Sequence, residues 1–228
     1  TLAEDSVYLY IGGNFLNFDG IANADYIVRY HKQNGAYSAL GTGANDVVEA
    51  LTIMPNGDLI AAGRFTLMGG VANTVRIARW NGTSWLPLST GMDAIIRGLT
   101  VGLDGTLYAI GNFGTAGGVT AVRIARWNGS IWSAMGTGLD QLGIALAVGP
   151  DGSIYAGGTF TSAGGVANTA RIAKWNGTAW ASLSTGTTTG DVYALAVSKS
   201  GLLYAGGTIS VIGGVTVSRI ASFNGTTW

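Results

Sequence analysis

IYAGGTFTSAGGVANTARIAKWNGTAW, residues 154–180, is the stretch on which the fold turns, because relatives of it recur from one end of the 228-residue chain to the other. The second residue of its Gly-Gly step, Gly158, has counterparts at Gly13, Gly63, Gly111 and Gly207, so the spacings along the chain are 50, 48, 47 and 49 residues. A ring ends each RIAKW-like segment, at Tyr30, Trp80, Trp127, Trp175 and Phe223. A second ring follows at Tyr37, Trp85, Trp132, Trp180 and Trp228. All seven tryptophans therefore occupy just two repeat positions, and a period between 20 and 50 residues decides the fold class before any single residue does.

Within one unit the apolar pattern predicts four strands. Asp191 to Val197 (DVYALAV) reads as strand A, and Ser200-Gly201 turns it into strand B at Leu203 to Thr208. The counterparts of that turn are Asn56-Gly57, Asp104-Gly105 and Asp151-Gly152, pairs that suit the positive φ of a two-residue hairpin. A longer loop with paired glycines (Gly69-Gly70, Gly117-Gly118, Gly164-Gly165, Gly213-Gly214) leads to strand C, read as Arg76 to Trp80 and Arg123 to Trp127. Asn-Gly then turns the chain into strand D, which carries the second ring and closes at Thr42, Thr90, Thr137 and Thr185. No amphipathic run of helical period interrupts this, so helices should be nearly absent.

A four-stranded antiparallel unit of about 47 residues in tandem is the unit of a β-propeller. A lone sheet of this kind cannot bury both faces, whereas radial stacking on its neighbours can. Five copies predict an all-β, five-bladed propeller of four-stranded blades, with residues 1–228 as one domain. Small residues in strand A (Ala50, Gly98, Ala145, Ala194) fit crowding near the axis, and the rings of strands C and D fit the wider periphery. The chain reads as a processed form or an excerpt, and a strand segment of 13 or 14 residues is wanting between Trp228 and Thr1. Either the ring closes imperfectly, or the chain continues, or a neighbour supplies the missing edge strand by β-augmentation.

Composition narrows the function. The chain is 47% hydrophobic and 10% aromatic, which excludes disorder, and most of its 38 glycines stand at turn-like places rather than in a collagen period. Only 11% of residues are charged and they balance to zero, so no basic field awaits nucleic acid. There is no cysteine, hence neither a disulfide framework nor a thiolate zinc site. No apolar run approaches the roughly 18 residues of a membrane span.

The Gly-Gly after strand B, the Arg-Ile-Ala-Arg-Trp-Asn-Gly run and the trailing Trp resemble kelch and galactose-oxidase-type propeller repeats, in the degenerate version found in large bacterial, fungal and viral surface proteins. The likeness covers essentially the whole chain. It implies an extracellular or virion-surface interaction module and not an oxidase, since the copper ligands of galactose oxidase have no counterpart: cysteine is absent and His31 is the only histidine.

Metal or nucleophilic catalysis needs a cluster of His, Cys, Asp or Glu held by different elements, and His31, alone in the most divergent unit, reads as an ordinary loop or edge residue, so the expectation is a non-enzyme without cofactor. Four other sets of residues recur. Asp46, Asp93, Asp140 and Asp191 approach each strand A, and would either converge on a hard cation such as calcium or cap turns through their own backbone. Arg76, Arg123, Arg171 and Arg219, with Arg29, Arg79, Arg126 and Lys174 in a second ring of positions, would either gather an anionic sugar or partner, or cover rings and pair with carboxylates. Trp85, Trp132 and Trp180 would stack on a sugar if a ring face met solvent, and would be core otherwise. Asn81, Asn128, Asn176 and Asn224 each head an Asn-Gly-Ser/Thr triplet, which serves turn chemistry and is formally a glycosylation sequon. The units differ most at one inner-strand slot (Glu49, Arg97, Ile144, Tyr193) and in the B to C loops, at Leu16-Asn17-Phe18, Leu67-Met68 and Val211-Ile212.

The sequence thus favours a rigid propeller that presents loops to a glycan or a protein surface. The rival reading is a structural subunit of an appendage or fibre, joined to copies of itself through its open blade edge.

Overall fold

The computed structural model describes residues 1–184 and 188–228; Thr185, the fourth of the threonines read as closing strand D, lies outside them. The first sheet is β1 (Leu2–Glu4), β2 (Tyr8–Gly12), β3 (Ile27–His31) and β4 (Tyr37–Ala39). The second is β5 (Val48–Ile53), β6 (Leu59–Gly63), β7 (Ile77–Trp80) and β8 (Trp85–Pro87). The third sheet comprises β9 (Ile96–Val101) and β10 (Leu107–Gly111). Then come a small ribbon of β11 (Thr115–Ala116) and β12 (Val119–Thr120), and β13 (Ile124–Trp127) and β14 (Trp132–Ala134), which complete the third sheet. The fourth is β15 (Gly143–Val148), β16 (Ile154–Gly158), β17 (Ile172–Trp175) and β18 (Trp180–Ala181). The fifth has three strands, β19 (Val192–Val197), β20 (Leu203–Gly207) and β23 (Ile220–Phe223), with a second ribbon of β21 (Val211–Ile212) and β22 (Val215–Thr216) in its loop. Every pairing is antiparallel and follows chain order within each sheet.

The innermost strands β1, β5, β9, β15 and β19 lie side by side in that sequence, which is the radial arrangement of a β-propeller. Crowding there explains the small residues: a Cβ on Gly98 of β9 would come within 3.0 Å of the Ile144 carbonyl oxygen on β15. Among the described residues β19 and β1 do not lie side by side in this way, so the fifth sheet is not stacked on the first.

Two turns differ from expectation. In the A to B turns only the glycine takes positive φ (88° at Gly57, 81° at Gly105), while the preceding Asn or Asp stays right-handed. Its side chain accepts the N–H two residues on, as in Asp58 N–H to Asn56 Oδ1 at 3.1 Å and Thr106 N–H to Asp104 Oδ1 at 3.0 Å. The result is a three-residue loop, a type I turn closed by a left-handed glycine, rather than a two-residue hairpin. Strand C also starts one residue late, because Arg76, Arg123, Arg171 and Arg219 are left-handed at φ between 64° and 71°. The kink lets each of these residues bond the loop carbonyl behind it, as Arg76 N–H does to the Phe65 carbonyl at 2.8 Å.

The core is a series of layers between sheets. Ile60 and Ile77 of the second sheet are buried with Leu107, Ala109, Phe113 and Trp132 of the third. Tyr108 and Ile124 of the third are buried in the same manner with Ile154, Phe160, Trp175 and Trp180 of the fourth. In the second, third and fourth units the second ring also crosses the junction: the indole N–H of Trp85 donates to the Leu40 carbonyl at 2.8 Å, that of Trp132 to Leu88 at 3.3 Å, and that of Trp180 to Met135 at 2.9 Å. A buried indole N–H left without an acceptor is costly, so these bonds fix the registry of one sheet on the next.

Gly164 lies beneath one of these indoles. A Cβ there would sit 2.5 Å from Trp180 Cδ1, at φ of 63°, whereas its neighbour Gly165, at φ of 74°, has nothing within 4 Å. Gly164→Ala should therefore cost about 1–3 kcal/mol in overpacking on top of the left-handed penalty that Gly165→Ala pays alone. Urea unfolding followed by tryptophan emission checks this; equal midpoints for the two variants would show that the indole is not held as described.

Candidate functional site

A cleft of about 410 Å³ lies between the first and second sheets. The turn after β1 supplies Asp5, Ser6 and Val7, strands β2 and β3 supply Tyr8, Tyr10 and Arg29, and the second sheet closes it with Asn56, Asp58, Trp80 and Asn81. Asp5 organises the near wall. Its Oδ1 accepts the N–H groups of Val7 and Tyr8, both at 2.7 Å, and its Oδ2 accepts the Tyr10 hydroxyl at 3.0 Å. Burial pushes the Asp5 carboxyl up, but those donors and the nearby Lys32 outweigh it and hold the group below the usual carboxylate range. Burial, reinforced by the bond to Asp5, pushes the Tyr10 phenol well above its ordinary value.

The Arg29 guanidinium lies 4.6 Å from the centre of the Tyr8 ring and is steadied by its Nε–H to Ser38 Oγ at 2.9 Å. His31 meets the same ring edge-on at 5.1 Å, and its Nδ1 accepts the Gln33 N–H at 3.3 Å. Across the cleft Asp58 pairs with Arg79 at 3.2 Å. The site thus offers carboxylates and a guanidinium a few side chains apart, with exposed backbone of the Asn81-Gly82 turn between them.

The same slot recurs in altered form. Between the fourth and fifth sheets it is lined by Tyr155, Lys174, Asn176 and Phe223, with a volume of about 320 Å³. Between the third and fourth, Arg126 reaches across to the Gly177 carbonyl at 3.4 Å. An aromatic on strand B, a cation on strand C and the C to D turn of the next sheet make the slot each time.

The residues singled out in the sequence fall as follows. Trp85 and Trp132 are 2% exposed and Trp180 is 5% exposed, so none offers a ring face to a sugar; they belong to the junctions. Arg79 and Arg126 are spent on Asp58 and on the Gly177 carbonyl. The four aspartates do not share one role. Asp93 and Asp140 bind backbone amides of the following loop, Gly114 and Thr115 at 2.9 and 3.0 Å, Thr161 and Ser162 at 2.8 and 2.9 Å. Asn45 does this in the second sheet, accepting from Thr66 and Leu67 at 2.9 and 3.0 Å, so Asp46 is one residue out of register and caps Val47 instead. Asp191 is shifted likewise and pairs with Arg171 at 3.4 Å. Among the described residues no group of three or more His, Asp or Glu side chains is placed to hold a metal ion. Asn81, Asn128, Asn176 and Asn224 are exposed and each accepts the two N–H groups that follow its glycine. In the inner-strand slot Glu49 bridges Arg64 and, across the junction, Arg97, each at 2.5 Å.

Sequence reasoning missed Asp5 and Tyr8 because the first unit departs from the repeat just there. The recurrence of Arg29, Arg79, Arg126 and Lys174 was the signal that could have marked the slot.

In the fourth sheet the Lys174 ammonium bonds Asp151 at 2.9 Å and, with the Ser153 amide, holds that carboxyl down at about 2 against burial. The folded-state value lies below the unfolded one of 3.8, so the pair stabilises the fold above about pH 4 and this contribution is lost as pH falls towards 2. Thermal melts across that window should show a smaller acid loss for Asp151→Asn than for the parent chain. Identical slopes would remove the pair from the account.

A profile of a β-propeller domain family of unknown function, DUF5122, matches residues 149–176, the heart of the fourth sheet. No curated protein matches the sequence. Solved structures resemble it in shape at low identity. The extracellular domain of a one-component system from B. thetaiotaomicron aligns over 97% of this chain and 26% of its own, with a TM-score of 0.62 and 9% identity. The WD40 repeats of RRP9 align over 90% of this chain and 58% of theirs (TM-score 0.59, 13% identity). YCF48 bound to D1 peptide aligns over 91% and 59% (TM-score 0.53, 16% identity). The chain therefore spans less than two thirds of each of these structures, and what it shares with them is the β-propeller fold.

Proposed function

We propose that the chain is a five-bladed, kelch-like propeller that works without catalysis as an interaction module outside the cell or on a virion, and that it binds a segment of a partner protein in the cleft between its first two sheets. The observation that carries this reading is the cleft itself: Arg29 over Tyr8 on one wall, Asp58 on the other, and the Asn81-Gly82 turn between. Opposed charges on the two walls match a polypeptide, which carries both signs, better than a neutral sugar, whose stacking rings here are buried. YCF48 in complex with D1 peptide is a propeller of similar shape with a peptide bound, and a B. thetaiotaomicron relative in shape is an extracellular domain; both agree with the reading. A non-catalytic role is supported by His31, which is engaged with Tyr8 and Gln33 rather than with a nucleophile.

Selection of a random peptide library on the immobilised chain should enrich binders whose affinity falls about tenfold or more on Arg29→Glu, since a buried interfacial charge carries at least that much. Enrichment that ignores Arg29, or a glycan array with hits where the peptide library has none, would overturn it.

A further inference from the structure

The strand C position that pairs with Tyr10, Ile60, Tyr108 and Tyr155 of strand B holds a cation in the first four sheets: Arg29, Arg79, Arg126 and Lys174. Three of these cations are engaged inside the chain. Arg79 pairs with Asp58 at 3.2 Å, Lys174 pairs with Asp151 at 2.9 Å, and Arg126 reaches the Gly177 carbonyl at 3.4 Å. Arg29 differs. Its Nε–H donates to Ser38 Oγ at 2.9 Å, and among the described residues neither of its terminal nitrogens has a hydrogen-bond or ion-pair partner.

Two features of the first unit leave it so. The carboxylate that stands where Asp151 stands in the fourth sheet is Asp5, and its oxygens are taken by the Val7 and Tyr8 amides and by the Tyr10 hydroxyl. The second feature is Tyr8, which occupies the register position of Asp58, Thr106 and Ser153 in the next three sheets. The guanidinium rests 4.6 Å from the centre of that ring and makes no bond to Gly82 across the cleft, the counterpart of Gly177. With Nε anchored and the ring beneath, the two terminal nitrogens keep the fork that matches a carboxylate by two parallel bonds. The fork is set before a ligand arrives, so little side-chain freedom is left to lose on binding.

We infer that Arg29 receives the carboxylate of an aspartate or glutamate side chain of the partner segment, and is thus the residue that selects an acidic sequence for this cleft. The inference rests on the peptide reading of the cleft and adds the chemistry of the residue it selects. A basic side chain at this place would meet Arg29 and find the nearby carboxylates occupied, Asp5 as above and Asp58 Oδ2 by Arg79 and the Asn56 amide.

Peptides enriched on the parent chain, remade with amidated C-termini, should share an aspartate or glutamate at one position. Changing that residue to asparagine or glutamine should weaken binding to the parent chain about tenfold or more, and binding to Arg29→Gln not at all. Arg29→Lys keeps the charge and loses the fork, so it should show a smaller difference between the two peptides than the parent does. It serves in place of Arg29→Gln should that variant, judged by its tryptophan emission, fail to fold. Binders with no shared acid, or an acid-to-amide cost that is the same on parent and variant, would overturn the inference and leave peptide binding standing. A chain that enriches no peptide at all would remove both.

Discussion

The burial of one sheet's isoleucine and tyrosine positions against the leucine, alanine and tryptophan face of the next is the contact on which the rest of the molecule depends. A β-blade exposes two apolar faces and has no helix to cover either, so it is stable only between neighbours. Each isoleucine buried in this way contributes on the order of 2 kcal/mol of apolar burial, and the indole bond across the junction adds direction to an interaction that is otherwise indifferent to sliding. The tryptophan therefore does two jobs: it fills the peripheral gap and it ties its N–H to the carbonyl just past the preceding sheet's last strand.

With so few charges in the chain, polar order comes from short side chains bonded to backbone. Asn45, Asp93 and Asp140 hold the next loop by its amides, and the buried Thr74 and Thr169 hold it from inside, each accepting an amide at 2.9 Å and donating to a carbonyl three residues back. A loop secured in this way can change sequence at its tip without unfolding the sheet. The third loop, held by Asp93, thus forms the β11–β12 ribbon, while the second and fourth, held by Asn45 and Asp140, take no such ribbon.

The cleft exists because the first unit breaks the pattern. Where other sheets have a Gly-containing A to B turn, the first has Asp5-Ser6-Val7, and the Asp5 carboxylate draws in two amides and the Tyr10 hydroxyl. Tyr8 can then lie under Arg29 instead of letting the guanidinium reach the neighbouring sheet, as Arg126 does. The slot between the first two sheets is left open by the same residues that line it.

What the sequence by itself determined is the repeat, and with it the all-β class, the order of strands A to D within a unit, and the division of small residues to the axis and rings to the rim. These are legible because strand alternation, turn residues and tandem copies are local signals that survive in any register. The tertiary structure decided the rest. Whether Trp85 was core or binding surface depended on a carbonyl 45 residues away, and whether Asp46 joined Asp93 and Asp140 depended on a one-residue offset seen only in the hydrogen bonds. Which faces stayed bare was decided there too: Ile220 and Ile172 are the same residue in the same local sequence, and only the presence or absence of a neighbouring sheet, a property of the stack and not of the strand, makes one exposed and the other buried.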